Sequence, residues 1–182
     1  MRIISGIYGG RTIKFPKSDL VRPTTDKVKE SLFNYLAHSF DLNDIKVCDI
    51  YAGSGSLGLE ALSRGAAEVH FVEKDFHVSK TLKENIDSLK AGDSCKIFKM
   101  EALKFSRLSE HDEYDLILAD PPFFKNDIHD VVINLLGRKF LKQGGIILVE
   151  RSIQTKDEDI AAFKFEPFKK IGDSLVYQFI NR

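Results

Sequence analysis

The sequence predicts a single α/β domain whose sheet is mostly parallel and covered by helices on both faces. Three observations predict it. From Ile45 onward, short continuously apolar runs alternate with segments of helical period. The first of these runs ends in a glycine-rich turn that opens a helix. The chain closes with two strand-like runs around Gly172-Asp173, a hairpin signal that interrupts the alternation. The 182 residues, 43% of them hydrophobic, suit one domain with a sizeable core. No apolar run is long enough to cross a bilayer, and Met1 to Gly10 lacks the apolar stretch and cleavage site of a secretory signal. Cys48 and Cys95 sit in apolar runs without metal or redox spacing. A cytoplasmic monomer is expected.

In chain order, Arg2–Ser5 and Arg11–Phe15 read as two short strands around Gly6-Ile7-Tyr8-Gly9-Gly10. Pro16 to Pro23 is a loop. Thr24 or Thr25 then caps a helix with Val28, Leu32, Phe33 and Leu36 on its apolar face. Residues 1–40 are therefore expected as a leading extension and 41–182 as the main domain. Lys46–Ile50 is the first buried strand, followed by a helix from Leu57 to Arg64 that Gly65 stops. Val69–Glu73 is the second strand. The next helix carries Val78, Leu82, Ile86 and Leu89 on one face. Cys95–Met100 and Tyr114–Ala119 are the third and fourth strands. A helix over Ile128–Phe140 leads through Gly144-Gly145 to a fifth, Ile146–Glu150. Phe165–Ile171 and Ser174–Ile180 form the closing hairpin, so the last strand should run antiparallel to its neighbours.

In an open parallel sheet, ligands bind beyond the carboxyl ends of the strands. Those ends here are Asp49 through Gly55, Glu73, and Asp120-Pro121-Pro122-Phe123. The turn Asp49-Ile50-Tyr51-Ala52-Gly53-Ser54-Gly55 continues into a G-x-G-x-x-G pattern, with Glu73 20 residues after Gly53. Glycine lets backbone approach a ligand closely, and Glu73 can accept both hydroxyls of a ribose. The pattern also fits a nicotinamide dinucleotide. Charge favours a different cofactor. A pyrophosphate seeks basic groups and helix amides, whereas Asp49, Glu73 and Asp120 bring three acids to one crevice. That suits S-adenosylmethionine, which carries a sulfonium and an ammonium.

Asp120-Pro121-Pro122-Phe123 is the sharpest signal. Two prolines fix φ and remove two backbone donors, leaving the Asp120 side chain and the Pro121 carbonyl as a rigid acceptor edge. An exocyclic amino group is a poor nucleophile because its lone pair is delocalised into the ring. Accepting its hydrogens on that edge localises the lone pair toward a methyl held about 3–3.5 Å away. Phe123 offers a stacking face worth roughly 1–3 kcal/mol. The same edge would serve DNA adenine or cytosine, or a protein glutamine amide.

These segments resemble the RsmD-type small-subunit (16S) ribosomal RNA guanine-N2 methyltransferase family of bacteria. The likeness rests on Arg2-Ile3-Ile4-Ser5-Gly6 with Gly10-Arg11, on Arg22-Pro23-Thr24-Thr25-Asp26, and on Glu30-Ser31-Leu32-Phe33-Asn34. It continues through Asp49 to Gly58, Leu59 to Ala66, Val72-Glu73-Lys74-Asp75 and Asp120 to Phe123. The resemblance implies a Rossmann-like domain of seven strands with the last antiparallel. It also implies cofactor contacts at Asp49, Ala52, Gly53, Ser54, Gly55, Glu73, Lys74, Glu101, Ala102 and Asp120. Asp120, Pro121, Pro122 and Phe123 would then meet the target base. Glu101-Ala102 departs from the Asp common in relatives, and Phe123 stands where many have Tyr.

Charge gives the leading segment a role. Residues 1–30 carry seven Lys/Arg against three acids, a net +4, and the remainder carries −4. Arg2, Arg11, Lys14, Lys17 and Arg22 are expected to hold phosphates of ribosomal RNA or of an assembled small-subunit particle, and the resemblance implies Arg22 and Thr24 near the pocket mouth. A hairpin covering a sheet edge is the plainer reading of the same residues. The five histidines lack paired ligand spacing, so no metal is expected, and surface or strand-edge places are. Lys74 and Asp75 should cap the following helix, and Thr155–Asp159 should be a solvated loop or helix start. A nicotinamide-dependent oxidoreductase and a non-catalytic RNA-binding module are the readings from other classes.

Overall fold

The computed structural model describes residues 1–15, 26–122 and 127–182. The expected loop Pro16–Pro23, the cap at Thr24 or Thr25, and Lys17, Arg22 and Phe123 lie outside the described residues. Helix α1 (Asp26–Ser39) buries Val28, Leu32, Phe33 and Leu36, the stripe its sequence period foretells. Then come β1 (Lys46–Ile50), α2 (Ser56–Ser63), β2 (Glu68–Val72), α3 (Phe76–Ser88), β3 (Cys95–Phe98), α4 (Ala102–Phe105) and β4 (Tyr114–Ala119). They are followed by α5 (Asp127–Gly137), β5 (Leu141–Ser152), α6 (Lys156–Phe163), β6 (Lys169–Ile171) and β7 (Ser174–Ile180).

The seven strands make one sheet in the order β3-β2-β1-β4-β5-β7-β6. The first five are mutually parallel, and β7 runs antiparallel to both β5 and β6. Strand order reverses between β1 and β4, so the crevice for a ligand opens over their carboxyl ends. One apolar layer carries Val47, Leu59, Phe71, Leu82, Leu116 and Leu148, and the other Cys48, Ile50, Ile117, Val131, Leu135 and Ile147. The period-two split of the strands between the layers is what a sheet covered on both faces requires.

Several expectations need correction. The leading hairpin is antiparallel, but its ladder is a single bridge, Arg2 to Thr12. Backbone bonds from Ile3 N to the Arg11 carbonyl at 2.9 Å, Gly10 N to the Ile3 carbonyl at 2.9 Å and Ile13 N to the Met1 carbonyl at 3.1 Å close it, and helix side chains fasten it to the body. The amides of Ile4 and Ser5 donate to the Glu60 carboxylate at 2.7 and 3.2 Å, and Tyr8 N donates to Ser63 Oγ at 2.9 Å. Ile3 and Ile13 are buried in the layer shared with β1, α2 and β2, so this segment is part of the body's core. The fifth strand begins at Leu141 rather than Ile146 because Gly144-Gly145 forms a bulge. Tyr114 pairs with Leu141 and Leu116 with Ile146, and Gly144 takes φ +76°. Of Phe165–Ile171, only Lys169–Ile171 is strand. Residues 156–163 are helix, and Asp159 is fully buried, receiving Arg151 Nε at 2.9 Å and Thr155 Oγ1 at 2.6 Å. His70 is buried in β2, with Nδ1 2.9 Å from the Tyr114 hydroxyl and Nε2 2.6 Å from Glu68; burial lowers its pKa. Both cysteines are free, and burial pushes the Cys48 thiol well up and Cys95 to about 12.

Candidate active site

Register brings the predicted residues together. Ile50, the last residue of β1, pairs with Val72 on one side and Ala119 on the other. The residues that follow, Tyr51-Ala52, Glu73 and Asp120, therefore leave the sheet side by side. The chain turns sharply here, with Tyr51 at φ 64°, Gly53 at 55° and Gly55 at 84°. At Gly55 a Cβ would lie 2.4 Å from Leu82 Cδ1, so a side chain there would push Leu82 aside and strain a positive φ.

Glu73 is half-buried, and each of its carboxylate oxygens takes one backbone amide. Gly53 N donates to Oε2 at 3.0 Å and Asp75 N to Oε1 at 2.8 Å. The carboxylate is thereby held at the strand tip with lone pairs to spare, since each oxygen can accept twice. Asp49 is 2% exposed, and its Oδ2 accepts Gly58 N at 2.8 Å across the start of α2. Burial holds its carboxyl well above the usual range. The Gly58 bond offsets part of this, while the charges of Asp120 and Glu73 push it further up. Those two charges act on Asp49 because the three acids share one crevice. An oriented acceptor for a vicinal diol, a glycine turn and three converging acids fit an adenosyl group carrying cations.

Asp120 is half-buried at the tip of β4, Pro121 is buried and Pro122 exposed. Ala52 is buried, its amide bonded to the Val72 carbonyl at 3.0 Å, which ties the turn to β2. Ser54 is buried too, its hydroxyl 3.8 Å from Met1 Sδ. Lys74 is exposed, Glu101 is exposed 3.9 Å from Lys104 Nζ, and Ala102 is buried at the start of α4. Asp75 caps α3, accepting the amides of His77 and Val78 at 2.8 and 2.9 Å.

The leading basic residues are placed differently from one another. Arg2 lies 3.6 Å from Asp26. Lys14 Nζ pairs with Glu84 at 2.8 Å, and the Arg11 guanidinium donates to the Ser88 carbonyl at 2.9 Å. A crossover helix between parallel strands runs from strand tips back to strand starts. Ser88 therefore stands about 18 Å of helix from Phe76, at the end away from the crevice. Lys29, counted in the basic lead, is fully buried; it bonds the Arg2 carbonyl at 2.5 Å and Ser56 Oγ at 3.1 Å, and lies 3.7 Å from Glu60. Burial lowers its pKa.

Two residues at the site escaped the sequence reading. The Tyr51 hydroxyl donates to Asp127 Oδ1 at 3.1 Å, linking the glycine turn to the start of α5. Asn85 Nδ2 donates to the carbonyls of Ser54 and Lys14, both at 2.9 Å, and its Oδ1 accepts Lys14 N at 2.7 Å. Its signal was there: Asn85 stands three residues after Leu82 on the buried stripe, where an amide must have partners.

Comparison with known proteins accords with this geometry. Residues 1–180 match the family model described as Conserved hypothetical protein 95. Ribosomal RNA small subunit methyltransferase D of Escherichia coli is 34% identical over 182 residues, 100% of this chain and 90% of that protein. Its namesake from Haemophilus influenzae is 37% identical over 152 residues, 82% and 78% of the two chains. The solved structure of Escherichia coli yhhF superposes with a TM-score of 0.82 at 31% identity, covering 100% of this chain and 99% of that one. Precorrin-6y C5,15-methyltransferase of Geobacter metallireducens, at 15% identity and a TM-score of 0.67 over 91% and 92%, shares the fold alone. On these grounds the chain belongs to the ribosomal RNA small subunit methyltransferase D family, whose model carries the description Conserved hypothetical protein 95.

Proposed function

We propose that this chain transfers the methyl group of S-adenosylmethionine to the exocyclic N2 amine of a guanine in small-subunit (16S) ribosomal RNA, free or in a small-subunit particle, as a cytoplasmic monomer. The observation that carries the reading is the alignment of Glu73, the glycine turn and Asp120 across three adjacent strand tips. The names of the Escherichia coli and Haemophilus influenzae relatives supply the RNA. Bound S-adenosylmethionine supplies an electrophilic methyl on a sulfonium centre. Glu73 orients the ribose hydroxyls, and Asp49 with its neighbouring acids holds the cationic groups. Asp120 and the Pro121 carbonyl accept the hydrogens of the amine, and the Asp120 carboxylate holds the proton that the nitrogen sheds. Phe123 stacks on the base. Arg2, Arg22, Thr24 and Pro122 are assigned to contacts with the RNA.

Labelled S-adenosylmethionine offered with small-subunit particles, free small-subunit RNA, duplex DNA and protein tests the acceptor. Label should enter ribosomal RNA, and nucleoside mass spectrometry should identify N2-methylguanine. Label in DNA adenine or cytosine, or in protein glutamine, with none in RNA would overturn the assignment. Calorimetry should show S-adenosylmethionine binding and no NAD binding.

A further inference from the structure

We propose that Phe76, backed by Lys99, is a stacking platform for an unpaired nucleotide of the RNA substrate, outside the methyl-transfer pocket. Phe76 is the first residue of α3, three residues beyond Glu73, so it stands on the rim of the crevice. It is 66% exposed, a large ring left in water beside the site. Lys99 Nζ lies 5.4 Å from the ring centroid, and the His77 ring meets it edge-on at 5.7 Å. These neighbours hold the ring while most of it stays open.

The surrounding charge selects the partner. Glu73 is turned to the amides of Gly53 and Asp75, Asp75 to those of His77 and Val78, and Glu101 lies by Lys104. Lys74 and Lys80, two residues before and four residues after Phe76, are exposed. An aromatic face among ammonium groups fits a splayed base with its phosphates, because every base offers a π-face and the backbone offers negative charge. Duplex DNA presents no open base face. Arg11 and Lys14, expected from sequence to hold RNA, bind the far half of α3, so the rim platform lies closer to the chemistry.

The inference rests on the RNA reading, and its test separates the two. Binding of a short single-stranded oligouridylate needs no turnover and is measured by fluorescence anisotropy beside calorimetric S-adenosylmethionine affinity. Phe76→Ala should weaken oligouridylate binding and raise KM for the RNA substrate about 5- to 100-fold, with kcat and cofactor affinity unchanged. Phe76→Trp should restore binding and Phe76→Leu should not. Lys99→Ala should lower the salt slope by about 0.7. Unchanged oligouridylate affinity in Phe76→Ala would overturn the platform. So would an equal loss of cofactor affinity, which would place Phe76 in the cofactor site. Methyl transfer by the native protein to DNA or protein alone would instead sink the RNA reading.

Discussion

Asp49 lies beneath the glycine turn almost wholly buried, with one oxygen on the Gly58 amide. An acid whose folded pKa is raised binds more protons folded than unfolded. Stability is therefore lost as pH climbs from the ordinary 3.8 toward the raised value. Asp49→Asn keeps an acceptor for Gly58 and removes the titrating group. Its thermal midpoint without cofactor should equal or exceed the native one at neutral pH, and the loss above 3.8 should flatten. S-adenosylmethionine affinity should fall about 10- to 100-fold, as expected for losing an interaction with a charged group. A calorimetric scan and titration would read both, and unchanged affinity would remove Asp49 from the cofactor site. The placement of Asp49 and Glu73 was legible because both stand at the end of continuously apolar strands. Tyr51 was not. Its hydroxyl reaches Asp127, 76 residues later, and local pattern says nothing about such a partner.

At the scale of elements, the leading segment is fastened by a helix that reads as apolar. All eight residues of α2 are buried, Glu60 among them. Glu60 receives Ile4 N, Ser5 N and Arg64 Nε and faces Lys29. Removing one member of a buried ionic cluster strands the others, so Glu60→Ala should cost about 3–5 kcal/mol in denaturant unfolding. The leading segment should become the first point of protease attack. A stability within 1 kcal/mol of native, roughly the worth of a surface pair, would show that these bonds do not fasten it. Continuously apolar strands and stripes of period 3.6 were legible along the chain. Three kinds of element were not. The lead divides its backbone bonds between its own short ladder and Glu60 and Ser63 of α2, which are far away in sequence. Helix α4, Ala102–Phe105, is too short to show a period. In α6, the acids Asp157, Glu158 and Asp159 resemble a solvated run, yet Arg151 from β5 draws Asp159 inside.

Across the whole molecule, strand order does what no single residue can. The reversal between β1 and β4 sets three strand tips next to one another, and Asp49, Glu73 and Asp120 converge although 71 residues separate the first from the last. Net charge is zero, so acceptor RNA must be drawn by local patches rather than by the overall field. Sequence alone placed that patch in the first 30 residues; the fold buries Lys29 and turns Arg11 and Lys14 onto α3. Among the described residues no helix is long and apolar enough to cross a membrane.

In the proposed reaction an acidic cradle holds the methyl donor opposite a proline-stiffened acceptor for an NH2 group. Turnover of Asp120→Ala on small-subunit particles at saturating S-adenosylmethionine, with cofactor affinity measured in parallel, tests that pairing most directly. kcat should fall about 10²- to 10³-fold with cofactor affinity little changed. Native turnover in this variant would contradict the pairing.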